Sequence, residues 1–265
     1  MSLLEATQFL LRKHRTFPKK RLGQNFIVDA ATIECVCAYA SLCEDDVVLD
    51  VGAGLGFLTR ALAKACKRVL AVELDKKLVG VLREQTKNMP NIKVIEGDVL
   101  KVHIPEFNKV VSIPPYGISS RLLLWLFERN FDCAVLVLQK EFANRLIADV
   151  GSDDYGWLTV FTYYYANVEL LDEVPKWMFY PTPKVDSIIV RLKLKKPPPF
   201  KLKNEELFRN LVQSLFTQRN RKVKNAFKVM AEETVKPAVV LPFRDRRVRE
   251  LAPEDFGALA NALSS

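Results

Sequence analysis

The sequence predicts an α/β protein: a mostly parallel sheet with helices on both faces, followed by a small α-helical domain. Three observations predict it. Between residues 47 and 139, short β-branched, leucine-rich runs alternate with helix-length amphipathic segments. Alternation of this length builds parallel sheets, because each crossover carries a helix. A Lys195-Lys196-Pro197-Pro198-Pro199 run then interrupts regular structure, since proline fixes φ and removes a backbone donor. Beyond it, residues 200–265 set apolar residues at helical spacing among basic ones. The expected domains are therefore 1–194, a stiff 195–199 linker and 200–265.

The elements follow in order. Leu3, Leu4, Thr7, Leu10 and Leu11 suit a short N-terminal helix lying on the body. Met1–Leu11 is too short, and too soon followed by Arg12-Lys13, to be a secretory signal. Val47–Val51, Val69–Leu74, Lys93–Ile95, Lys109–Ile113 and Ala134–Leu138 read as buried strands, each bounded by Gly, Pro, Asp or Asn. Gly56–Cys66, Lys76–Lys87 and Ser119–Asn130 are the helices between them. Val168–Val174 and Val185–Leu194 are further strands. Leu207, Leu211, Leu215 and Phe216 open the helical region.

Composition narrows the class. The chain has 265 residues, 49% hydrophobic and 27% charged, which excludes wholesale disorder, collagen and disulfide miniproteins. No apolar run reaches the ~18–20 residues that span a bilayer. Five cysteines without a C-x-x-C pair, and only His14 and His103, speak for reduced thiols, a cytoplasmic protein and no metal. No interface is marked, so a monomer is expected.

The net charge of +9 is unevenly placed. Residues 1–190 hold 23 basic and 23 acidic side chains, and residues 191–265 hold 17 against 8. Arg219, Arg221, Lys222, Lys224 and Lys228 form one basic group, and Arg244, Arg246, Arg247 and Arg249 another. Arg12, Lys13, Arg15, Lys19, Lys20 and Arg21 form a third, inside the neutral part. Such runs are either solvated faces or polyanion-binding surfaces. Two basic regions flanking a neutral body fit nucleic acid better than solubility.

The first chemical motif is Asp50-Val51-Gly52-Ala53-Gly54-Leu55-Gly56, a strand running into a glycine-rich turn that opens a helix. Glycines there let a ligand approach the backbone closely. Glu73 closes the next strand, where an acid accepts hydrogen bonds from two ribose hydroxyls. A dinucleotide fingerprint asks for a third glycine where Phe57 stands. The G-x-G-x-G form is more typical of S-adenosylmethionine (SAM) sites; a nicotinamide or flavin cofactor, or a structural turn, are the alternatives. Asp98, after the third strand, can hold an adenine amine or cap the next segment.

The second motif is Ser112-Ile113-Pro114-Pro115-Tyr116, after the fourth strand. In amino-methyltransferases this place has the form Asn/Asp-Pro-Pro-Tyr/Phe. Its rigid turn aims a backbone carbonyl and a polar side chain at the target amine, and its ring stacks on the extruded base. Here Ile113 occupies the polar position, and Ser112 is expected on the other side of the strand.

These residues resemble the ribosomal RNA adenine N6,N6-dimethyltransferases, which modify two adjacent adenosines near the 3′ end of small-subunit rRNA. Arg21-Leu22-Gly23-Gln24-Asn25-Phe26-Ile27 is similar to that family's N-terminal signature. Phe179-Tyr180-Pro181-Thr182-Pro183-Lys184-Val185-Asp186-Ser187 is similar to its Phe-x-Pro-x-Pro-Lys-Val-Asp-Ser segment, and Val111–Ser120 to its fourth-strand motif. The likeness covers about residues 17–255. It implies a Rossmann-like class I methyltransferase fold: seven strands, the last antiparallel, with a basic helical RNA-binding domain at 200–265. Residues 1–27 would close over the cofactor within a catalytic domain 1–194.

By the same resemblance, Gln24, Asn25, Ile27, Gly52, Gly54, Glu73, Leu74, Asp98 and Val99 would bind SAM, with Ile113 beside it. Tyr116 and Phe179 would sandwich the target adenine over Pro114 and Pro115. Lys19, Lys20, Arg21, Arg219, Arg221, Lys222, Lys224, Arg246 and Arg247 would meet small-subunit rRNA in a pre-ribosomal particle. The departure at Ile113 opens an alternative: an rRNA-binding assembly factor of the same fold with little or no catalysis. An enzyme of this fold acting on another adenine is a further reading.

Overall fold

The structure, a computed structural model, describes residues 1–231 and 241–264, with only the backbone of Met230 and Ala231. The stretch 232–240 of the expected helical domain lies outside the described residues.

Helix α1 (Leu3–Lys13) begins at Ser2, whose hydroxyl accepts from the Glu5 N–H while the Glu5 carboxylate accepts from the Ser2 N–H. This reciprocal cap satisfies two end donors at once. Strand β1 (Phe26–Ile27) and α2 (Ala30–Ala40) follow. The central elements are β2 (Val47–Val51), α3 (Phe57–Leu62), β3 (Arg68–Glu73), α4 (Lys76–Thr86), β4 (Ile92–Glu96), β5 (Lys109–Ser112), α5 (Ser119–Phe127) and β6 (Cys133–Gln139). Then come α6 (Lys140–Asn144), α7 (Trp157–Tyr165), β7 (Ala166–Val174), β8 (Phe179–Tyr180), β9 (Ser187–Leu194), α8 (Glu205–Phe216), α9 (Val223–Ala231) and α10 (Pro253–Leu263).

Seven strands form one sheet in the order β4-β3-β2-β5-β6-β9-β7. The pairs β2–β3, β3–β4, β2–β5 and β5–β6 are parallel, and β9 runs antiparallel to β6. The strands expected at 47–139 are all present. Their continuous apolar runs are explained by burial on both faces: Val48, Leu49, Val69, Leu70, Val110, Val111, Val135 and Leu136 are fully buried. The chain order reverses between β2 and β5, so a crevice opens at their carboxyl ends. A separate two-stranded ladder, β1 with β8, pairs Phe26 with Tyr180 and Ile27 with Phe179.

The chain divides into two compact units, Met1–Ala143 with Val168–Leu194, and Asn144–Asn167 with Lys195–Ser265. The second therefore takes in residues 144–167, ahead of the expected linker. The reason lies in α7, whose Trp-Leu-Thr-Val-Phe-Thr-Tyr-Tyr-Tyr sequence has strand-type residues throughout. Phe161 and Tyr164 pack on Phe208 of α8, with ring centroids 5.9 and 5.4 Å apart. The buried Tyr155 hydroxyl donates to the Leu251 carbonyl at 2.7 Å. Among the described residues no helix is long and apolar enough to cross a membrane, and no three His, Cys, Asp or Glu side chains gather as a metal site.

Candidate functional site

The crevice at the carboxyl ends of β2, β3 and β5 is a cavity of about 470 Å³, lined entirely from the first unit. Three turns converge on it. After β2 the chain folds back so that the Gly52 and Ala53 N–H groups donate to the Val72 carbonyl, at 2.8 and 3.1 Å. Gly52 has φ +74°, and a Cβ there would sit 2.7 Å from Pro115 Cδ. Gly54 has φ +56° and lies under the Phe26 ring. Glycine is thus required twice: for left-handed backbone, and to seat the proline turn and the N-terminal arm against the strand end.

Glu73 ends β3 only 6% exposed. Its carboxylate accepts from the Gly54 N–H at 2.9 Å and the Asp75 N–H at 2.8 Å. Burial pushes this carboxyl above its ordinary value, against those two bonds. Two oxygens carrying one bond each keep acceptor capacity, which suits a ribose diol. Asp98 Oδ1 accepts from the Leu100 N–H at 3.1 Å, a local cap, and the residue also lines the cavity. Leu74, half exposed, and the buried Val99 line the same wall.

On the β5 side, Ile113, Pro114, Pro115 and Tyr116 all line the cavity. Ser112 points away from it. Its hydroxyl donates to the Val51 carbonyl at 2.7 Å and accepts from the Val51 N–H at 3.1 Å, tying β5 to β2. Ile113 fills the expected polar position with an apolar side chain packed on the core. The Tyr116 hydroxyl is 2.6 Å from Ser187 Oγ, and burial pushes the phenol up, so it stays neutral. Phe179 lines the cavity but is only 2% exposed, held in the core and in the β1–β8 ladder.

Other expected residues are placed differently. Ile27 is 6% exposed and reaches a smaller cavity beneath Gly52, shared with Asn25, Asp50 and Ile113. Gln24 lines the large cavity, yet its side chain bridges the Lys19 N–H and the Asp75 carboxylate, at 2.8 and 3.0 Å. Asn25 also lines it and donates to the Gly23 carbonyl at 3.2 Å. Lys19, expected at RNA, pairs instead with Asp75 at 2.7 Å.

Four further cations expected at RNA make bonds within their own unit. Arg219 donates to the Ser152 and Asp153 carbonyls, both at 2.8 Å, and Lys224 pairs with Asp245 at 2.6 Å. Arg246 pairs with Asp255 at 2.8 Å, and Arg247 donates to the Asn220 carbonyl at 2.6 Å. Lys20, Arg21, Arg221 and Lys222 make no ion pair with the described residues. Lys20 and Arg21 line the cavity mouth.

Sequence reasoning missed three residues. Arg121, exposed on the first turn of α5, lines the cavity. Ser187 anchors the tyrosine. Asp50 is fully buried, accepts from the Thr59 hydroxyl at 2.6 Å and is pushed by burial to about 7, with Glu73 adding to the rise. Its signal was available: an acid two residues before Gly52 at the end of a strand.

The chain is similar over most of its length to known rRNA-modifying proteins. The family model for ribosomal RNA adenine dimethylase matches residues 16–263. A probable ribosomal RNA small subunit methyltransferase A of Methanosarcina acetivorans is 40% identical over 247 residues, 91% of each chain. Its namesake in Thermococcus kodakarensis is 40% identical over 256 residues, covering 93% of this chain and 90% of its own. Among solved structures, a dimethyladenosine transferase from Plasmodium falciparum superposes with TM-score 0.75 at 27% identity, covering 87% of this chain and 94% of its own. The 23S rRNA methyltransferase ErmE gives 0.65 at 30% identity, covering 91% of this chain and all of its own.

Proposed function

Because the chain belongs to the ribosomal RNA adenine dimethylase family, we propose that it dimethylates N6 of two adjacent adenosines near the 3′ end of small-subunit rRNA, with SAM as methyl donor. The observation that carries this reading is the convergence of the Gly52 turn, Glu73, Asp98 and the Pro114-Pro115-Tyr116 turn on one cavity. The residues fit the cofactor: a glycine cradle that a Cβ would fill, and buried carboxylate oxygens with acceptor capacity to spare.

When bound, SAM supplies an electrophilic methyl on a sulfonium. Glu73 would hold the ribose hydroxyls and Asp98 the adenine amine of that cofactor. Tyr116 stacks on the flipped target base, with its hydroxyl fixed by Ser187 so that the ring cannot rotate away. The turn's backbone carbonyl accepts from the target amine and draws its nitrogen towards tetrahedral geometry. The lone pair freed on that nitrogen would be the acceptor for the methyl that the cofactor would supply, and the displaced proton would leave to water. In-line positioning supplies the remaining rate. Phe179 backs the base from the core side.

Lys20, Arg21 and Arg121 at the cavity mouth, with Arg221 and Lys222 in the second unit, are the proposed phosphate contacts. A monomer acting in the cytoplasm completes the proposal. Ile113 favours a second reading, an rRNA-binding assembly factor with residual or no catalysis.

Transfer of labelled methyl from SAM to small subunits lacking the modification, followed by nucleoside analysis, separates the two. N6,N6-dimethyladenosine in the product supports the enzyme. Intact SAM and subunit binding without transfer supports the assembly factor. Product at a different adenine, or none with no subunit binding, overturns both.

A further inference from the structure

Residues 20–26 line the cavity that carries the proposed chemistry, and Lys19 and Gln24 of this arm both bond to one buried side chain. Asp75 sits just past the end of β3, two residues after Glu73, and N-caps α4 by accepting from the Lys77 N–H at 3.1 Å. Its side chain is only 2% exposed. Capping alone does not call for a charge, because asparagine caps equally well. A buried carboxylate is costly unless a cation and hydrogen bonds meet it. Here they come from the N-terminal arm: the Lys19 ammonium at 2.7 Å and the Gln24 amide at 3.0 Å.

The Gln24 carbonyl oxygen turns back to accept from the Lys19 N–H at 2.8 Å. The arm is thereby closed into a loop across Lys20–Leu22, with both ends on Asp75. That loop supplies Lys20, Arg21, Leu22 and Gly23 to the cavity lining. The same residue reaches the cofactor side, since the Asp75 N–H donates to Glu73 Oε1 at 2.8 Å. Burial pushes the Asp75 carboxyl up, yet the bonds from Lys19, Gln24 and the Lys77 N–H outweigh it and hold it below its ordinary value. The carboxylate is therefore ionised and engaged at neutral pH.

We propose that Asp75 is a positioning residue for cofactor binding: through Lys19 and Gln24 it latches the N-terminal arm over the cavity while its backbone N–H orients Glu73. This inference rests on the reading that the cavity takes SAM.

The test is a calorimetric titration of the full chain with SAM, without RNA, on the wild type, Lys19→Met, Asp75→Asn and the double variant. Asp75→Asn keeps the helix cap, so α4 is retained. Each single variant is expected to weaken SAM binding roughly tenfold, within the ordinary 5–150-fold range of coupling between sites. The double variant is expected to bind no more weakly than the weaker single one, because Lys19 acts through Asp75. Lys19→Arg, which keeps the charge, is expected to restore near-wild-type affinity. A purely structural role would not produce that pattern of rescue and non-additivity. Unchanged affinity in Lys19→Met, or effects that simply add in the double variant, overturn the latch. If Asp75→Asn does not fold, Lys19→Met and Lys19→Arg decide alone, since Lys19 is partly exposed. A wild type that does not bind SAM overturns the functional reading instead, and the same titration reveals it.

Discussion

Ile113 is the residue on which the two proposed readings divide. It lines both cavities and packs on the core, so a carboxamide there would face the ligand from the same backbone position. Removing one preorganised hydrogen-bonding group from a transition state costs on the order of 10²–10³ in rate. Ile113→Asn is accordingly expected to raise the methyl-transfer rate by up to that factor, measured under single-turnover conditions. No gain would mean that the backbone carbonyl suffices.

Asp50 carries a second expectation at this scale. Its folded value of about 7 lies above the ~3.9 of an unfolded aspartate. Between those values the native state binds the extra proton, so stability falls as pH rises and levels off above about 7. The slope approaches ~1.4 kcal/mol per pH unit for one proton. Denaturant melts from pH 4 to 8 should show this decline in the wild type and its loss in Asp50→Asn. Parallel curves would show that Asp50 does not titrate in this range.

At the scale of elements, the site is made by turns pressed together rather than by any one motif. The Gly52 turn, the Pro114-Pro115 turn and the N-terminal arm meet at van der Waals distance, so a change in one moves the others. Gly52→Ala combines a left-handed φ with a Cβ 2.7 Å from Pro115 Cδ. It is expected to cost ~1–2 kcal/mol in left-handed strain alone, and to push the Tyr116 turn out of place. Thermal denaturation and SAM titration would both register it; unaltered SAM affinity would show that the proline turn yields freely. The β1–β8 ladder adds another tie, with the Val28 N–H donating to the Met178 carbonyl at 2.8 Å just outside it. The N-terminal arm and the segment bearing Phe179 are thus joined by backbone hydrogen bonds.

At the scale of the whole molecule, the excess positive charge belongs to the last 75 residues. Its members divide into two kinds. Arg219, Lys224, Arg246 and Arg247 are engaged in bonds within their own unit, whereas Arg221 and Lys222 make no ion pair with the described residues. Replacing Arg221 or Lys222 by alanine is expected to lower the salt slope of RNA binding by about 0.7–0.9 each. Arg246→Ala is expected to lower the melting temperature with little change in that slope. The reverse pattern, in salt-titrated binding and calorimetric melts, would move the RNA surface elsewhere.

The sequence by itself determined the parallel sheet, the glycine turn with Glu73 and Asp98 at strand ends, and the proline–tyrosine turn. These features are local: strand and helix periods, and residues at fixed offsets from a strand end, survive without knowledge of the rest of the chain. The helix at Trp157–Tyr165 was not legible, because its residues favour a strand and packing of Phe161 and Tyr164 on Phe208 overrides them. Nor was the pairing of Lys19 and Gln24 with Asp75, of Tyr116 with Ser187, or of Lys224 with Asp245 and Arg246 with Asp255. Those contacts join residues far apart in sequence, and a charge or hydroxyl has the same spacing whether it meets a partner or a ligand. Only the folded chain, by bringing one partner and excluding others from a site with little water, decides which bond each polar group makes.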